Sequence, residues 1–161
     1  MGEIRVGLGI DIHQVGDDPA RPLMLGGVRF EGELGLAGHS DGDAVCHAVA
    51  DALLGAAGLG DIGEYFPDTD PETEGIAGLA LLGEVVGLLR GHGMVPRACD
   101  LTILADRPHI SPHRDEIREL LAGVLGLATK NVSVKATRPE GLGLSGDGVG
   151  CFAVVTVADG P

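Results

Sequence analysis

Asp11 and His13 lie two residues apart in Gly9-Ile10-Asp11-Ile12-His13, and His47 closes the run His39-Ser40-Asp41-Gly42-Asp43-Ala44-Val45-Cys46-His47. One aspartate and two histidines that leave a fourth position open form the ligand set of a catalytic rather than a structural zinc. Val6, Leu8, Ile10 and Ile12 mark a strand, where side chains alternate faces, so Asp11 and His13 point the same way. Asp43, His47 and Asp51 recur at i, i+4 and i+8 in a run of Ala, Val and Leu, which predicts one polar stripe along a helix. Asp43 and Asp51 would then surround the ligands with acidic groups. Burying three such side chains without a metal would leave polar groups unpaired, whereas His92 and His113 read as ordinary core or surface histidines.

The turn ahead of that helix offers a second chemistry. The free N–H groups and dipole of a helix start favour an anion, so a phosphate could sit beside the metal. The plainer use of Ser40 or Asp41 is as an N-cap, and both uses can hold at once. Downstream, Lys135-Ala136-Thr137-Arg138-Pro139-Glu140-Gly141-Leu142-Gly143 leaves a strand and enters a glycine-rich turn. Glu140 there suits Mg²⁺ or Mn²⁺, ions that prefer carboxylates and substrate phosphates, with ordinary surface-turn chemistry an equal alternative. The segment Asp61-Ile62-Gly63-Glu64-Tyr65-Phe66-Pro67-Asp68-Thr69-Asp70-Pro71 is richer than a bland linker between two helices and reads as a functional flap.

The elements that must position these groups follow from periodicity and breakers. Residues 4–13 form the first strand, and residues 22–30 a second that pairs with it antiparallel. A helix runs from Asp43 to Ala57 and ends at Gly58 and Gly60. Leu79, Leu81, Leu82, Val85, Val86, Leu88 and Leu89 predict a long amphipathic helix stopped by Gly91 and Gly93. Residues 97–105 read as a strand, 112–127 as a third helix, and 132–136 and 151–157 as the last two strands. That order predicts an α+β fold, an α/β sandwich with helices on one face of a mixed four- to five-stranded sheet.

Composition sets the outer bounds. The 161 residues show one composition regime, which suits a single domain over 1–161. There is no 18-residue apolar run, and the N-terminus enters a strand without a signal-peptide pattern, so a cytoplasmic location with no membrane partner is expected. Eleven basic against 24 acidic residues, a net charge of −13, argue against a nucleic-acid footprint. Cys46, Cys99 and Cys151 are odd in number and set in apolar surroundings, as buried free thiols are. With 28 glycines and no tryptophan, the core must be built from Leu, Val, Ile and Ala, and subunit association is a plausible source of further burial.

Taken together, these segments resemble the 2-C-methyl-D-erythritol 2,4-cyclodiphosphate synthase family of non-mevalonate isoprenoid biosynthesis. The resemblance is carried by residues 9–13, 39–43, 51–55, 60–63 and 66–71, then 134–137 and 141–143, in order along nearly the whole chain. It implies a homotrimer with three active sites at subunit boundaries. It implies cyclisation of 4-diphosphocytidyl-2-C-methyl-D-erythritol 2-phosphate with release of CMP. By the same resemblance Asp11, His13 and His47 hold zinc or another divalent transition metal, and Glu140 holds Mg²⁺ or Mn²⁺. His39 and Ser40 would face the 2-phosphate, with His39 and Arg138 stabilising the transition state. Asp61, Ile62, Gly63, Phe66, Pro67, Asp68, Thr69 and Asp70 would hold the methylerythritol part, and Leu144 joins the substrate contacts. Ala105, Pro108, His109 and Ile110 would line the cytidine pocket, with Thr137 and Arg138 on the phosphates.

The chain departs from the family pattern at several places. Arg138 stands in what is often a run of threonines, His109 where lysine is common, and Leu8 where a histidine or aromatic residue is common. Asp147-Gly148-Val149-Gly150 replaces an Arg-Gly-Glu-Gly run that, in the family, rings an axial cavity able to hold an isoprenoid diphosphate. Asp147 would repel that diphosphate, so no such ligand is expected. Two other readings of the same residues are a zinc hydrolase that activates water at the open coordination position and a non-catalytic trimeric metal- or lipid-binding protein.

Overall fold

The computed structural model describes residues 3–143 and 147–160. Strand β1 (Ile4–Gln14) is followed by a hairpin of β2 (Pro22–Leu25) and β3 (Val28–Leu34), then by helix α1 (Ala44–Ala57) and the one-turn helix α2 (Ile62–Tyr65). Helix α3 (Gly78–Gly91), strand β4 (Met94–Leu104), helix α4 (Arg114–Leu125) and strands β5 (Val132–Thr137) and β6 (Gly148–Asp159) complete the order. Short 3-10 turns precede α4 and β5. The main sheet runs β1-β6-β4-β5, with β4 and β5 parallel and the other two pairings antiparallel. This is the expected α+β architecture with a mixed, four-stranded sheet.

One expected pairing fails. The run 22–30 is not a single strand beside β1 but a separate hairpin, because Gly26 and Gly27 both adopt left-handed φ, +60° and +80°. Positive φ at both central residues is the geometry of a two-residue hairpin turn, which glycine adopts without steric cost. The edge strand β1 takes its partner from the far end of the chain instead, with Leu8 opposite Val154 and Gly9 opposite Ala153.

The helices cover one face of the sheet, and α1 lies over its β1–β6 half. All of α1 is buried except Asp51 and Gly55, the pattern of a helix apolar all round. Its N-cap is Asp43, not Ser40 or Asp41, and Gly58 ends it in the left-handed conformation at φ +70°. Gly7 and Gly9 give α1 its seat: a Cβ on either would lie 1.9 Å from a carbonyl oxygen of α1, that of Ala52 or Ala48. The opposite face of β1 is apolar and open, with Val6 65%, Leu8 61% and Ile10 45% exposed beside Val154 of β6. The three cysteines are free and buried, as expected. Among the described residues no helix is long and apolar enough to cross a membrane.

Candidate metal centre and substrate cavity

Asp11 and His13 share with Gly7 and Gly9 the face of β1 that α1 covers, and His47 reaches them from the first turns of that helix. Asp11 Oδ2 lies 2.8 Å from His13 Nε2 and 3.2 Å from His47 Nδ1. One ligand-competent atom from each of the three falls within 4.8 Å of the others, so the paired strand positions and the helix position meet as the spacing predicts. His13 Nδ1 donates to the Ala37 carbonyl at 2.7 Å, which turns Nε2 toward the cluster. His47 presents Nδ1 to the cluster and Nε2 to the Ser40 hydroxyl at 3.1 Å. Each ring is thus oriented through its second nitrogen, as metal-ligating histidines characteristically are.

Of the acidic surround expected from Asp43 and Asp51, Asp51 stands close enough to Asp11 and His47 to feel their charges, while both carboxylates accept their hydrogen bonds from backbone N–H groups. Asp43 is fully buried and accepts from the backbone N–H groups of Gly26, Gly27, Val45 and Cys46. It therefore welds the β2–β3 turn to α1. It also fills the helix N-terminus, so that end offers no seat for a phosphate. Asp51 accepts from Ile62 N–H at 2.9 Å and fixes α2 against α1.

Electrostatics inside the cluster follow from partial burial and pairing. The hydrogen bond that His13 donates to Asp11, together with the carboxylate's charge, raises the proton affinity of His13 above the ordinary 6.5, although burial opposes it. For Asp11, burial is the largest single influence and acts upward. Hydrogen bonds and charge from His13 and His47 outweigh it together, and the carboxyl falls below its ordinary 3.8. Without a cation the cluster is an ion pair; with one, His13 must release its proton before Nε2 can bind.

The cluster opens into a cavity of about 290 Å³ lined by Asp11, His13, Gly38, His39, Ser40, His47, Ile62, Gly63, Phe66 and Asp68, with Thr73, Ile76 and Leu81. His39 Nε2 is buried and has no hydrogen-bond partner among the described residues. A second cavity, about 200 Å³, is lined by Ala105, Asp106, Pro108, His109, Ile110, Ser111, Ala136, Thr137 and Arg138. One chain thus assembles the expected metal and cytidine groups in two different cavities rather than in one. Asp61, Pro67, Thr69 and Asp70 line neither: Asp61 caps α2, and Asp70 accepts from Glu72 N–H. Glu140 is exposed in the turn after β5 at φ +53° and lines neither cavity. Leu144 lies outside the described residues.

Sequence reasoning missed Thr73, Ile76 and Leu81, whose only signal was that the flap runs on past Pro71 to the start of α3. It also missed Arg21, which donates through Nη2 to the Ser40 carbonyl and has no motif around it.

The model of the YgbB family matches residues 4–158. The 2-C-methyl-D-erythritol 2,4-cyclodiphosphate synthase of Symbiobacterium thermophilum is 48% identical over 155 residues, covering 95% of this chain and 98% of that protein. The solved structure of the bifunctional IspDF from Campylobacter jejuni superposes with a TM-score of 0.91 at 36% identity, over 99% of this chain and 43% of that longer one. A 2C-methyl-D-erythritol-2,4-cyclodiphosphate synthase in a CDP-bound form superposes at 0.86 and 38% identity, over 95% of this chain and 99% of that one. Family model, full-length relative and solved folds all span the strand and helix that carry Asp11, His13 and His47, and the chain belongs to the YgbB family.

Proposed function

We propose that the chain, as a single domain over residues 1–161, cyclises 4-diphosphocytidyl-2-C-methyl-D-erythritol 2-phosphate to 2-C-methyl-D-erythritol 2,4-cyclodiphosphate and releases CMP. In this reaction an oxygen of the 2-phosphate bonds to the β-phosphorus, the bridging bond between α- and β-phosphate breaks, and CMP leaves with the bond's electron pair. The carrying observation is the convergence of Asp11, His13 and His47 on one cavity with Ser40 and with His39 Nε2, which has no partner among the described residues, in a chain so close to named synthases. Those names favour the synthase over a zinc hydrolase or a metal- or lipid-binding protein.

The donor set fits a borderline divalent ion: two imidazole nitrogens and a carboxylate, pre-oriented by Ala37 and Ser40. Zinc at Asp11, His13 and His47, with Mg²⁺ or Mn²⁺ at Glu140, would supply Lewis acidity and charge neutralisation at the phosphate oxygens. The protein's own part is alignment. His39 and Ser40 would hold the 2-phosphate, and Ile62, Gly63, Phe66 and Asp68 the methylerythritol carbons. Thr137 and Arg138 would meet the phosphates on the cytidine side. Holding nucleophile and electrophile in line contributes about 7–11 kcal/mol in well-oriented intramolecular reactions.

The separation of the two cavities supports a further point. The second cavity of a neighbouring copy would complete the first, in a cytoplasmic homotrimer whose contacts cover the apolar outer face of β1 and β6. Contiguous exposed apolar surface of that kind marks interaction sites. Asp147 leads us to expect no isoprenoid diphosphate on the trimer axis, and recovery of one from purified protein would overturn that expectation.

Phosphorus NMR of the protein with the cytidine-linked substrate, zinc and Mg²⁺ tests the assignment. Cyclic diphosphate plus CMP is expected; an acyclic phosphate product would instead indicate a hydrolase, and an unchanged spectrum a binding role. His47→Ala should lose stoichiometric zinc on dialysis together with turnover. Retention of both would sink the ligand assignment.

A further inference from the structure

The segment carrying His39 and Ser40 has no regular secondary structure of its own, so its neighbours must hold it. On the α3 side, Gly75 N–H donates to the His39 carbonyl at 3.1 Å and Asp41 N–H donates to the Ile76 carbonyl at 3.3 Å. On the other side the Ser40 carbonyl is taken by one side chain, the guanidinium of Arg21, through Nη2. Arg21 comes from the loop between β1 and β2, and its backbone carbonyl accepts from Gly35 N–H, which ties that loop to the end of β3.

The surroundings of this arginine are shaped for it. A Cβ on Gly35 would lie 2.7 Å from Arg21 Cγ, and a Cβ on Gly42 would lie 3.3 Å from Nη2. Glycine at both positions leaves room for this side chain as well as for the closer carbonyl oxygens of Pro22 and Leu36. Arg21 is half-buried, and its Nε–H is buried with no acceptor among the described residues. An unsatisfied buried donor on a charged group is costly and calls for an explanation other than packing.

We propose that Arg21 is a charged positioning residue for the reaction, fixing the Ser40 peptide from behind so that His39 and the Ser40 hydroxyl are presented to the substrate phosphate. This rests on the reading of His39 and Ser40 as the phosphate-facing pair. Arg21 touches no reacting atom; it acts through the turn. A charge-assisted hydrogen bond is about twice as strong as a neutral one, which suits a turn that must hold its shape while phosphate charge is redistributed beside it.

The test compares Arg21→Met, which keeps the apolar stem, with Arg21→Lys, which keeps the charge and N–H donors at the tip. Both are assayed as zinc-loaded protein with the cytidine-linked substrate, with kcat counted per bound zinc. Arg21→Met is expected to lower kcat about 10- to 100-fold with KM changed less than about threefold, the scale of a lost charged hydrogen bond to a part-buried acceptor. Arg21→Lys is expected to recover most of kcat, which replacement packing alone would not do. Wild-type kcat in Arg21→Met, or equal losses in both variants, would overturn the assignment. Should Arg21→Met not fold, Arg21→Gln takes its place, with about a three- to tenfold loss of kcat expected and wild-type kcat again overturning it. His39→Ala, run alongside, separates the two levels: wild-type kcat there refutes the phosphate-facing turn itself. A crippled His39→Ala beside a fully active Arg21→Met refutes only the role of Arg21.

Discussion

Gly9→Ala should damage the metal centre without touching a ligand. The added Cβ would sit 1.9 Å from the Ala48 carbonyl oxygen and 2.6 Å from Ala52 N, all α1 backbone, so no side chain can swing away. β1 is tied along its one paired edge to β6, with Gly9 opposite Ala153, which resists its moving alone. The helix must retreat by about 1.5 Å, the difference between 1.9 Å and the 3.4 Å at which ordinary contact begins. Ala48 follows His47 directly, so the retreat carries the His47 ring away from Asp11, now 3.2 Å off, in a site where metal–ligand distances tolerate about 0.2 Å. Zinc affinity should fall about 100-fold or more, and stability by about 1–3 kcal/mol. Competition against a chromogenic zinc chelator measures the first and urea unfolding of the metal-free protein the second. Gly7→Ala inflicts the same 1.9 Å clash one turn further along α1, at Ala52, and serves as the matched control. It should cost similar stability with a smaller loss of zinc affinity. Wild-type zinc affinity in Gly9→Ala, or equal loss in the two variants, would refute the claim that close glycine-mediated packing sets the ligand geometry.

Two further outcomes follow from the same geometry. Asp43→Asn places an amide donor against the N–H groups of either Gly27 or of Gly26, Val45 and Cys46, and should destabilise the protein by about 1–3 kcal/mol in urea unfolding; an unchanged midpoint would contradict its role as the weld between hairpin and helix. In the metal-free protein, raised His13 contributes stability that is full below its ordinary 6.5 and is lost as pH rises through its folded value. Lowered Asp11 contributes stability present above 3.8 and lost as pH falls through its folded value. The pair therefore stabilises best between those ordinary values, while zinc affinity climbs with pH through the His13 titration. Calorimetry in buffers of different ionisation enthalpy should show proton release on zinc binding near neutrality, and its absence would contradict a protonated His13.

The parts of the site that were legible in the sequence are those governed by local period. Asp11 and His13 share a face because strands alternate, and His47 reaches them from a helix whose bounds the glycines announce. The flap and the Ala105–Ile110 segment also surface where a cavity forms. Long-range choices were not legible. Nothing local tells β1 to pair with β6 rather than with the run after Pro22, and Gly26-Gly27 sits between apolar residues that read as one continuous strand. Asp43 fits the i, i+4, i+8 stripe and yet serves as a cap, because its backbone leaves the helix at ψ 88° before the side chain can join the stripe.

The deepest of these gaps concerns which face of β1 is inside. An alternation of Ile4, Val6, Leu8, Ile10 and Ile12 with Gly7 and Gly9 would ordinarily bury the large residues and expose the small ones. Here the glycines face α1 and the aliphatic side chains face outward. A Leu or Val on the inner face would hold α1 several ångströms further off, beyond the reach of an imidazole to Asp11. Metal geometry therefore dictates a glycine inner face, and the apolar residues fall on the outer face because the strand still needs β-branched and aliphatic side chains to persist. That outer face cannot remain in water at little cost. The constraint that brings three ligands together thus creates the surface on which the proposed trimer would form, and with it the boundary at which a neighbour's nucleotide-facing cavity could meet the metal. On this argument, replacing Leu8, on the face of β1 opposite the ligands, with a charged residue should lower turnover through loss of assembly while leaving zinc stoichiometry intact. Light scattering beside the turnover assay distinguishes that outcome, and an active, zinc-loaded monomer would break the link between the inner and outer faces.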